Sequence, residues 1–388
     1  MLFQVLDNKQ ECYKMFCDEG LFEDYEEGSL THTWAPSANF CDTNVEYAQI
    51  WCHGKSLEQA SPEHLKKRFH ALNEKALVFL KTFYNARINL DDVCFYDLVP
   101  EKFLIDFYGL KNEITKHVFA NFEKPKNYDF LLELTIFLKA IENRVLNIDF
   151  NALPSDEPGS QKISNGRNKI IYNPWRTVTG RLTTEKDSFP ILTLNKNLRA
   201  CIKPKNDILL ELDYNSAELR VLLGLLGQDQ PEEDLHSWIV KNVFENKIDR
   251  EASKKKTFAW LYNPNSKNKK LNQFLDRDKV IEKYFTGREI VTPFGRTVAV
   301  DREKAVNYLV QSTSSDMLLK SAMSVDKLLK NKKSFVSFCI HDSIVIDMAK
   351  EDRSLIEQLQ QTFSKTVFGT LKTNVSLGKD FGNMRKIS

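Results

Sequence analysis

The sequence predicts an α+β protein of two or three structural units, and three observations carry that expectation. Its 388 residues are 42% hydrophobic and 28% charged, enough apolar chain for more than one core. Two turn-bounded apolar stretches, ILLELD at 208–213 and FVSFCIHDSIVIDM at 335–348, read as a buried strand and an antiparallel strand pair. Segments with apolar residues every three to four positions, such as YDFLLELTIFLKAIENRVLN at 128–147, read as helices with one packed face.

Taken in order, residues 1–125 alternate short apolar runs (VEYAQIWC, VCFYDLV) with a helical pattern (SPEHLKKRFHALNEKALVFLKTFY), a mixed α/β unit that ends at EKPKN. Residues 126–162 hold the helix from Tyr128 and the start of LPSDEPGSQKISNGRNK, a linker punctuated by Pro, Gly, Ser and Asn. The strand-like IIYNPW and ILLELD fall within 163–228, and an alternating-charge helical region to Tyr284 with the hairpin EIVTPFGRTVAV within 229–300. Residues 301–388 hold the helix KAVNYLVQSTSSDMLLKSAMSVDKLLK, the strand pair at 335–348, a helix LIEQLQQTFSKTVFGTL and a final strand.

Composition narrows the function classes. No run of about 18 apolar residues exists to cross a membrane, and the opening MLFQVLDNKQE has an acid where a signal peptide needs a basic start, so a cytoplasmic protein is expected. Seven cysteines without a C-x-x-C pair suggest reduced thiols, and Cys12, Cys17, Cys52 and His53 match no usual zinc spacing. The net charge of +2 names no partner, but its distribution is uneven: 1–60 holds eleven acids against three bases, and 247–288 twelve bases against five acids. The basic stretch is a candidate polyanion surface or simply a solvated lysine-rich face.

Two acids stand out because each ends a buried strand. Asp213 closes ILLELD, and Asp342 lies at the turn of FVSFCIHDSIVIDM. An unpaired buried carboxylate is costly, so each needs a cation or a donor. On neighbouring strands the pair would suit two divalent cations about 4 Å apart, the arrangement used in phosphoryl transfer. Each acid alone also fits a structural place, since Asp is a favoured turn residue. A third feature is REASKKKTFAWLY, where Arg250, Lys254, Phe258 and Tyr262 recur every four residues and share one side of a helix. Two cations and two aromatics on one stripe suit a nucleotide; equally, the aromatics could pack into a core while the bases reach outward.

These motifs, in this order, resemble those of family A DNA polymerases, the group that includes bacterial DNA polymerase I and several phage replicases. TVTGRLTT at 177–184 is similar to T-x-T-G-R-L-S-S, LDYNSAELRVL to D-Y-S-Q-I-E-L-R, and Asp234 with His236 to a D-x-H. REASKKKTFAWLY has the R-x3-K-x3-F-x3-Y spacing, TPFGR the T-x-x-G-R turn, NYLVQSTSSDM resembles N-x3-Q-x-T-A-A-D, and IHDSIVID resembles V-H-D-E-I. The resemblance runs from Ile171 to the C-terminus, more than half the chain.

The resemblance implies a right-hand polymerase fold of phage type. An antiparallel palm sheet (163–228 and 301–388) and helical fingers (229–300) would follow an exonuclease-like N-terminal domain (1–125). It implies a primer-template DNA and dNTPs as partners and two Mg²⁺ ions, for which Mn²⁺ can substitute. Asp213, Asp342 and the Tyr214 carbonyl would hold the metals. Arg250, Lys254 and His236 would meet the triphosphate, with Lys254 placed to protonate pyrophosphate. Phe258 would pack on the sugar, Tyr262 on the templating position, and Glu218 would block a ribose 2′-OH. Arg181, Asn307, Gln311 and His341 match positions that contact primer, template or nucleotide.

The chain departs from the family in three places. Ser343 stands where the family has a glutamate beside the catalytic Asp. Between the helix of 126–162 and the start of the palm the long thumb helices are missing, which predicts low processivity unless a processivity or replisome protein helps. The acidic segment 1–60 is its expected docking surface. The exonuclease Asp-x-Glu has only Asp24 and Glu26 to supply it, in an acidic run. A monomer without membrane contact or proofreading is expected. The alternatives are a single-subunit RNA polymerase or reverse transcriptase, which Glu218 disfavours, and a catalytically weak DNA-binding accessory protein, which Asp213 and Asp342 disfavour.

Overall fold

The computed structural model describes residues 1–388 except 7–13, 18–19, 24–25, 27, 38–39, 91–92, 154–158, 164–166, 264, 267 and 388, and only the backbone of 161–162. Helices and sheets are both present, in two compact units, Met1–Ala140 and Ile141–Ser388.

In the first unit an antiparallel meander, β1 (Phe3–Val5), β2 (Met15–Cys17) and β3 (Gly20–Phe22), packs with helices α1 (Glu63–Asn85) and α2 (Glu101–Asn121). Leu104, Tyr108, Ile114 and Val118 of α2 share one apolar core with Leu6, Phe16 and Phe69. Polar links fix the register: the Gln4 amide donates to Asn112 (3.0 Å) and Thr115 (3.1 Å), and the Tyr108 hydroxyl to the Leu6 carbonyl (2.8 Å). A further helix, α3 (Tyr128–Asn143), runs across the boundary between the units. It ends four residues before the helical pattern does.

The structure corrects two expectations here and does not describe two of the candidate residues. The apolar runs VEYAQIWC and VCFYDLV are largely helical turns, Ala48–Trp51 and Phe95–Leu98, because so short a run buries its side chains equally well in either conformation. Cys17, Cys41, Cys52, Cys201 and Cys339 are free thiols, but Cys94 is disulfide-bonded, against the expectation of thiols throughout. Asp24 of the exonuclease candidate and Cys12 of the zinc candidate lie outside the described residues.

The second unit is built on a five-stranded antiparallel sheet. After short two-stranded pairings at Asn147–Ile148 with Ile202–Lys203 and Tyr172–Asn173 with Thr183–Thr184, its main sheet starts with β4 (Ile208–Tyr214), which the helices α4 (Ala217–Leu225) and α5 (Leu235–Asn242) follow. Three more helices follow, α6 (Arg250–Tyr262), α7 (Lys269–Phe274) and α8 (Arg277–Tyr284), then a hairpin of β5 (Glu289–Val291) and β6 (Thr297–Ala299). The long α9 (Arg302–Leu328) leads into β7 (Phe335–Ile340), β8 (Ser343–Met348), α10 (Ile356–Ser364), β9 (Thr373–Gly378) and β10 (Arg385–Lys386). The strand order is β7-β8-β4-β9-β10. Alternation in ILLELDY places Leu210, Leu212 and Tyr214 on one face and Glu211 and Asp213 on the other. The Tyr214 hydroxyl donates to the Phe363 carbonyl of α10 (2.6 Å) and is bonded to the Ser321 hydroxyl of α9 (2.8 Å), so those helices cover the first face.

Helices α5 to α8 each start on an Asp or Asn whose side chain accepts a backbone N–H of the first turn: Asp234, Asp249, Asn268 and Asp276. Trp260, fully buried on α6, donates to Asn272 of α7 (2.5 Å) and lies 4.5 Å beneath the Arg277 guanidinium. The helix read from LIEQLQQTFSKTVFGTL stops at Ser364; Lys365–Thr366 and Gly369–Thr370 form a small hairpin instead. Its β-branched residues and Gly369, at φ +91°, favour that turn over another helical one.

A buried ion pair ties this unit together. Arg296, after the β5–β6 turn, donates from Nε (2.9 Å) and Nη2 (2.7 Å) to Asp316 of α9, which is fully buried. The guanidinium lies against Gly180, where a Cβ would come within 2.4 Å of it. Asp316→Ala is expected to cost about 3–5 kcal/mol in urea unfolding, because the guanidinium would stay buried without its partner. A loss below about 1 kcal/mol would show the pair to be dispensable.

Candidate active site

The sheet register brings the two strand-end acids together. Asp213 lies opposite Ser343 on β8, one residue from Asp342, and the Tyr214 N–H donates to the Asp342 carbonyl (3.2 Å). Asp342 sits with His341 in the two-residue turn between β7 and β8, and His341 takes a left-handed φ of +51° that glycine usually occupies in such turns. Ser216, between β4 and α4, is left-handed too, at φ +57°. Left-handed non-glycine residues at both acid-bearing turns are a pattern found where function constrains the backbone.

Electrostatics at this corner are unfavourable to the acids in the absence of a cation. Burial, reinforced by Glu211 and Asp342, pushes the Asp213 carboxyl up to about 6, even though the Asn374 amide donates to it at 3.0 Å. Burial also raises Asp342, with the Arg181 charge pulling the other way. Glu218, in the first turn of α4 and 6% exposed, is pushed up to about 7 by burial and the nearby Asp342, while Arg181 opposes the rise. It accepts hydrogen bonds from both Arg181 and the Tyr262 hydroxyl, linking the TVTGRLTT segment, α4 and α6. A cleft of about 310 Å³ beside these groups is lined by Arg181, Ser315, His341 and Asp342. Among the described residues no group of three or more His, Cys, Asp or Glu side chains converges as a metal cage.

The stripe on α6 is not packed into a core. The face that is buried carries Ser253, Thr257, Trp260 and Leu261; Lys254 and Tyr262 are exposed and Phe258 is half-buried. Phe258 stacks on Tyr262 (5.9 Å, 7°) and tilts against His236 of α5 (5.6 Å). His236 is 3% exposed with a partnerless Nδ1, and burial holds its pKa down, so the ring is neutral near pH 7. Arg250 makes a two-pronged contact with Asp234 (2.9 Å each). Burial alone would raise Asp234, but donors from Arg250, Asn215 and Ser237 drive it well below the usual carboxylate range.

On α9, Asn307 and Gln311 are one turn apart and bonded to each other (2.7 Å). The next residue on that stripe, Ser315, donates to the Gly180 carbonyl (2.8 Å). Asn307 also lines, with Tyr262, a cleft of about 460 Å³ between α6, α8 and α9. Thus Asp213, Asp342, Glu218, Arg181, His341 and Tyr262 meet at one corner. Arg250, Lys254, Phe258 and His236 form a second group on α5 and α6, and Asn307 and Gln311 a third on α9.

Sequence reasoning missed several partners. Glu211 shares the face of Asp213, a consequence of strand alternation legible in ILLELDY, and it accepts the Ser343 hydroxyl (3.1 Å). Asn374, which holds Asp213, gave no local signal. In sequence Asp234 shows only as part of a D-x-H motif, yet it is the carboxylate that grips Arg250.

Comparison with known proteins adds a partial similarity. No protein-family model matches the chain. The thermostable DNA polymerase I of Thermus aquaticus is 26% identical over 272 residues, which covers 56% of this chain and 32% of that protein. The chain therefore spans about a third of the length of the curated relative it matches. Among solved structures, the POL domain of Pol1 from M. smegmatis, in complex with DNA primer-template and dNTP, aligns at a TM-score of 0.48 and 17% identity, over 72% of this chain and 55% of that one.

Proposed function

We propose that this chain is a template-directed DNA polymerase of the family A type that extends a DNA primer with dNTPs. The five-stranded sheet would serve as palm and α5 to α8 as fingers. The observation that carries the reading is the register that sets Asp213 beside the Asp342 turn, with Glu218 and the open face of α6 around it. The similarity to a DNA polymerase I supports it.

The residues present fit a pair of divalent cations. Asp213 and Asp342 are half-buried like charges whose pKa values are raised, and the side chain bonded to Asp213 is a neutral amide, so a cation would relieve their repulsion. Asp213, Asp342 and the Tyr214 carbonyl would hold Mg²⁺ or Mn²⁺. Bound there, the metals would activate the primer 3′-hydroxyl and offset charge on the leaving pyrophosphate. The chain's own residues do the rest. Arg250 would leave Asp234 for a phosphate, and Lys254, exposed on the same stripe, would donate a proton to the leaving group. Arg181, His341, Asn307 and Gln311 would meet the nucleic acid. Low processivity and the lack of proofreading belong to the same proposal and rest on the sequence alone.

Extension of a labelled primer on a template with four dNTPs and Mg²⁺ tests the reading: products dictated by the template are expected, and their absence from active, folded protein would overturn it. In that assay Lys254→Ala should lower kcat about a hundredfold, as for loss of a general acid, with DNA affinity nearly unchanged. An equal loss of DNA binding would return the stripe to a generic basic face. Ser343 favours a second reading, a catalytically weak DNA-binding accessory protein, because its hydroxyl is spent on Glu211 and the Ile340 carbonyl. Gel-shift binding without extension would select it.

A further inference from the structure

The geometry points to Asn374 and Lys386 as a positioning relay for Asp213, an inference that rests on the proposed role of Asp213 as a metal ligand. Three strands bring the groups into line. Asp213 on β4 faces Asn374 on β9, and Lys386 on β10 faces Ser376, two residues along β9 and on the same side of the sheet. The Asn374 amide nitrogen donates to Asp213 Oδ2 (3.0 Å), and Lys386 Nζ donates to Asn374 Oδ1 (2.8 Å).

An amide has two chemically opposite ends, and only its NH₂ end suits a carboxylate. Lys386, with donors alone, can bond only the oxygen end, so it selects the orientation that turns the NH₂ toward Asp213. The relay then fixes the plane of the Asp213 carboxylate through Oδ2 and does not itself engage Oδ1. A lysine or arginine in direct contact would fix it too, but would compete with a cation for the same charge. The neutral amide holds the group without neutralising it, while the lysine stands one residue away. Partners of this kind behind a metal-binding carboxylate tune affinity as well as orientation.

The test is Mn²⁺ binding to the full chain, followed by the electron paramagnetic resonance of free Mn²⁺, beside primer-extension kinetics. Asn374→Leu is expected to weaken Mn²⁺ about tenfold, in the range for a lost partner of a metal ligand. It should also lower kcat while leaving KM for dNTP unchanged. Lys386→Met, on an exposed residue that leaves the fold intact by circular dichroism, should weaken Mn²⁺ about threefold. The double variant should be no worse than Asn374→Leu, since both act through one contact, and Asn374→Ser, which keeps a donor, should recover part of the loss. Unchanged Mn²⁺ binding in Asn374→Leu and Lys386→Met, alongside a loss in Asp213→Asn, would overturn the relay alone. So would additive losses in the double variant. If Asp213→Asn itself left Mn²⁺ binding unchanged, the metal-ligand reading would fail, and the relay with it.

Discussion

Asp213→Ala and Asp342→Ala are each expected to lower primer extension about a thousandfold or more, with the fold retained. Each substitution removes one of the two carboxylates at the β4 and β7–β8 strand ends; Glu211 and Glu218 lie near, but Glu211 accepts the Ser343 hydroxyl and Glu218 is tied to Arg181 and Tyr262, so neither is placed to take over. A thousandfold corresponds to about 4 kcal/mol of transition-state stabilisation, well within what a metal centre supplies. A companion measurement separates lost chemistry from damaged structure. The folded Asp213 carboxyl titrates at about 6, above its ordinary 3.8, so the native chain binds more protons than the unfolded chain between those values. Its contribution to stability is therefore full below about pH 4 and is lost as pH rises through 6. Without metal, Asp213→Asn should be more stable than wild type at pH 8, the difference shrinking toward pH 4. Extension at near-wild-type rates by either alanine variant would remove both acids from the mechanism.

Glu218→Ala is expected to shift the preference for dNTP over rNTP by about a hundredfold toward ribonucleotides, the scale on which a filled or emptied site discriminates one small group. The carboxylate is rigidly placed. It stands in the first turn of α4 behind the left-handed Ser216, buried, and tied to Arg181 and the Tyr262 hydroxyl. Its removal takes the carboxylate away from Tyr262, and under the proposed role the space left would admit a 2′-hydroxyl. Tyr262→Phe is the control: the carboxylate stays, one hydrogen bond is lost, and discrimination should persist. The measurement is kcat/KM for one rNTP against its dNTP on the same template. An unchanged ratio in Glu218→Ala would rule out the steric role and reopen the RNA polymerase alternative.

Much of the second unit was legible in the sequence because its signals are local. Asp249 caps a helix whose observed limits, Arg250–Tyr262, coincide with the stripe read from spacing, since the cap and the four-residue repeat act over single turns. The β7–β8 hairpin was legible for the same reason: two apolar runs flank two polar residues, and only a tight turn joins them. Local signals failed where an apolar run was too short to choose a conformation, as at Phe95–Leu98, and where a helical pattern ran past its stop, as beyond Ser364.

Local sequence was thus enough for the long helices, the β4 strand and the β7–β8 hairpin, the acids at the strand ends and the face of α6 that carries its cations and aromatics, since each follows from periodicity or capping within a few residues. Tertiary structure alone decided which of these meet. Strand order places Asn374 beside Asp213 across 161 residues of chain, and helix packing sets Tyr262 against Glu218 across 44. The same packing hands Arg250 to Asp234 and Arg296 to Asp316. A carboxylate reads alike in sequence whether its partner is water, a metal or an arginine. Its chemistry is set by burial and by the charges that long-range pairing brings near, and those depend on strand order and helix packing, which no local pattern encodes.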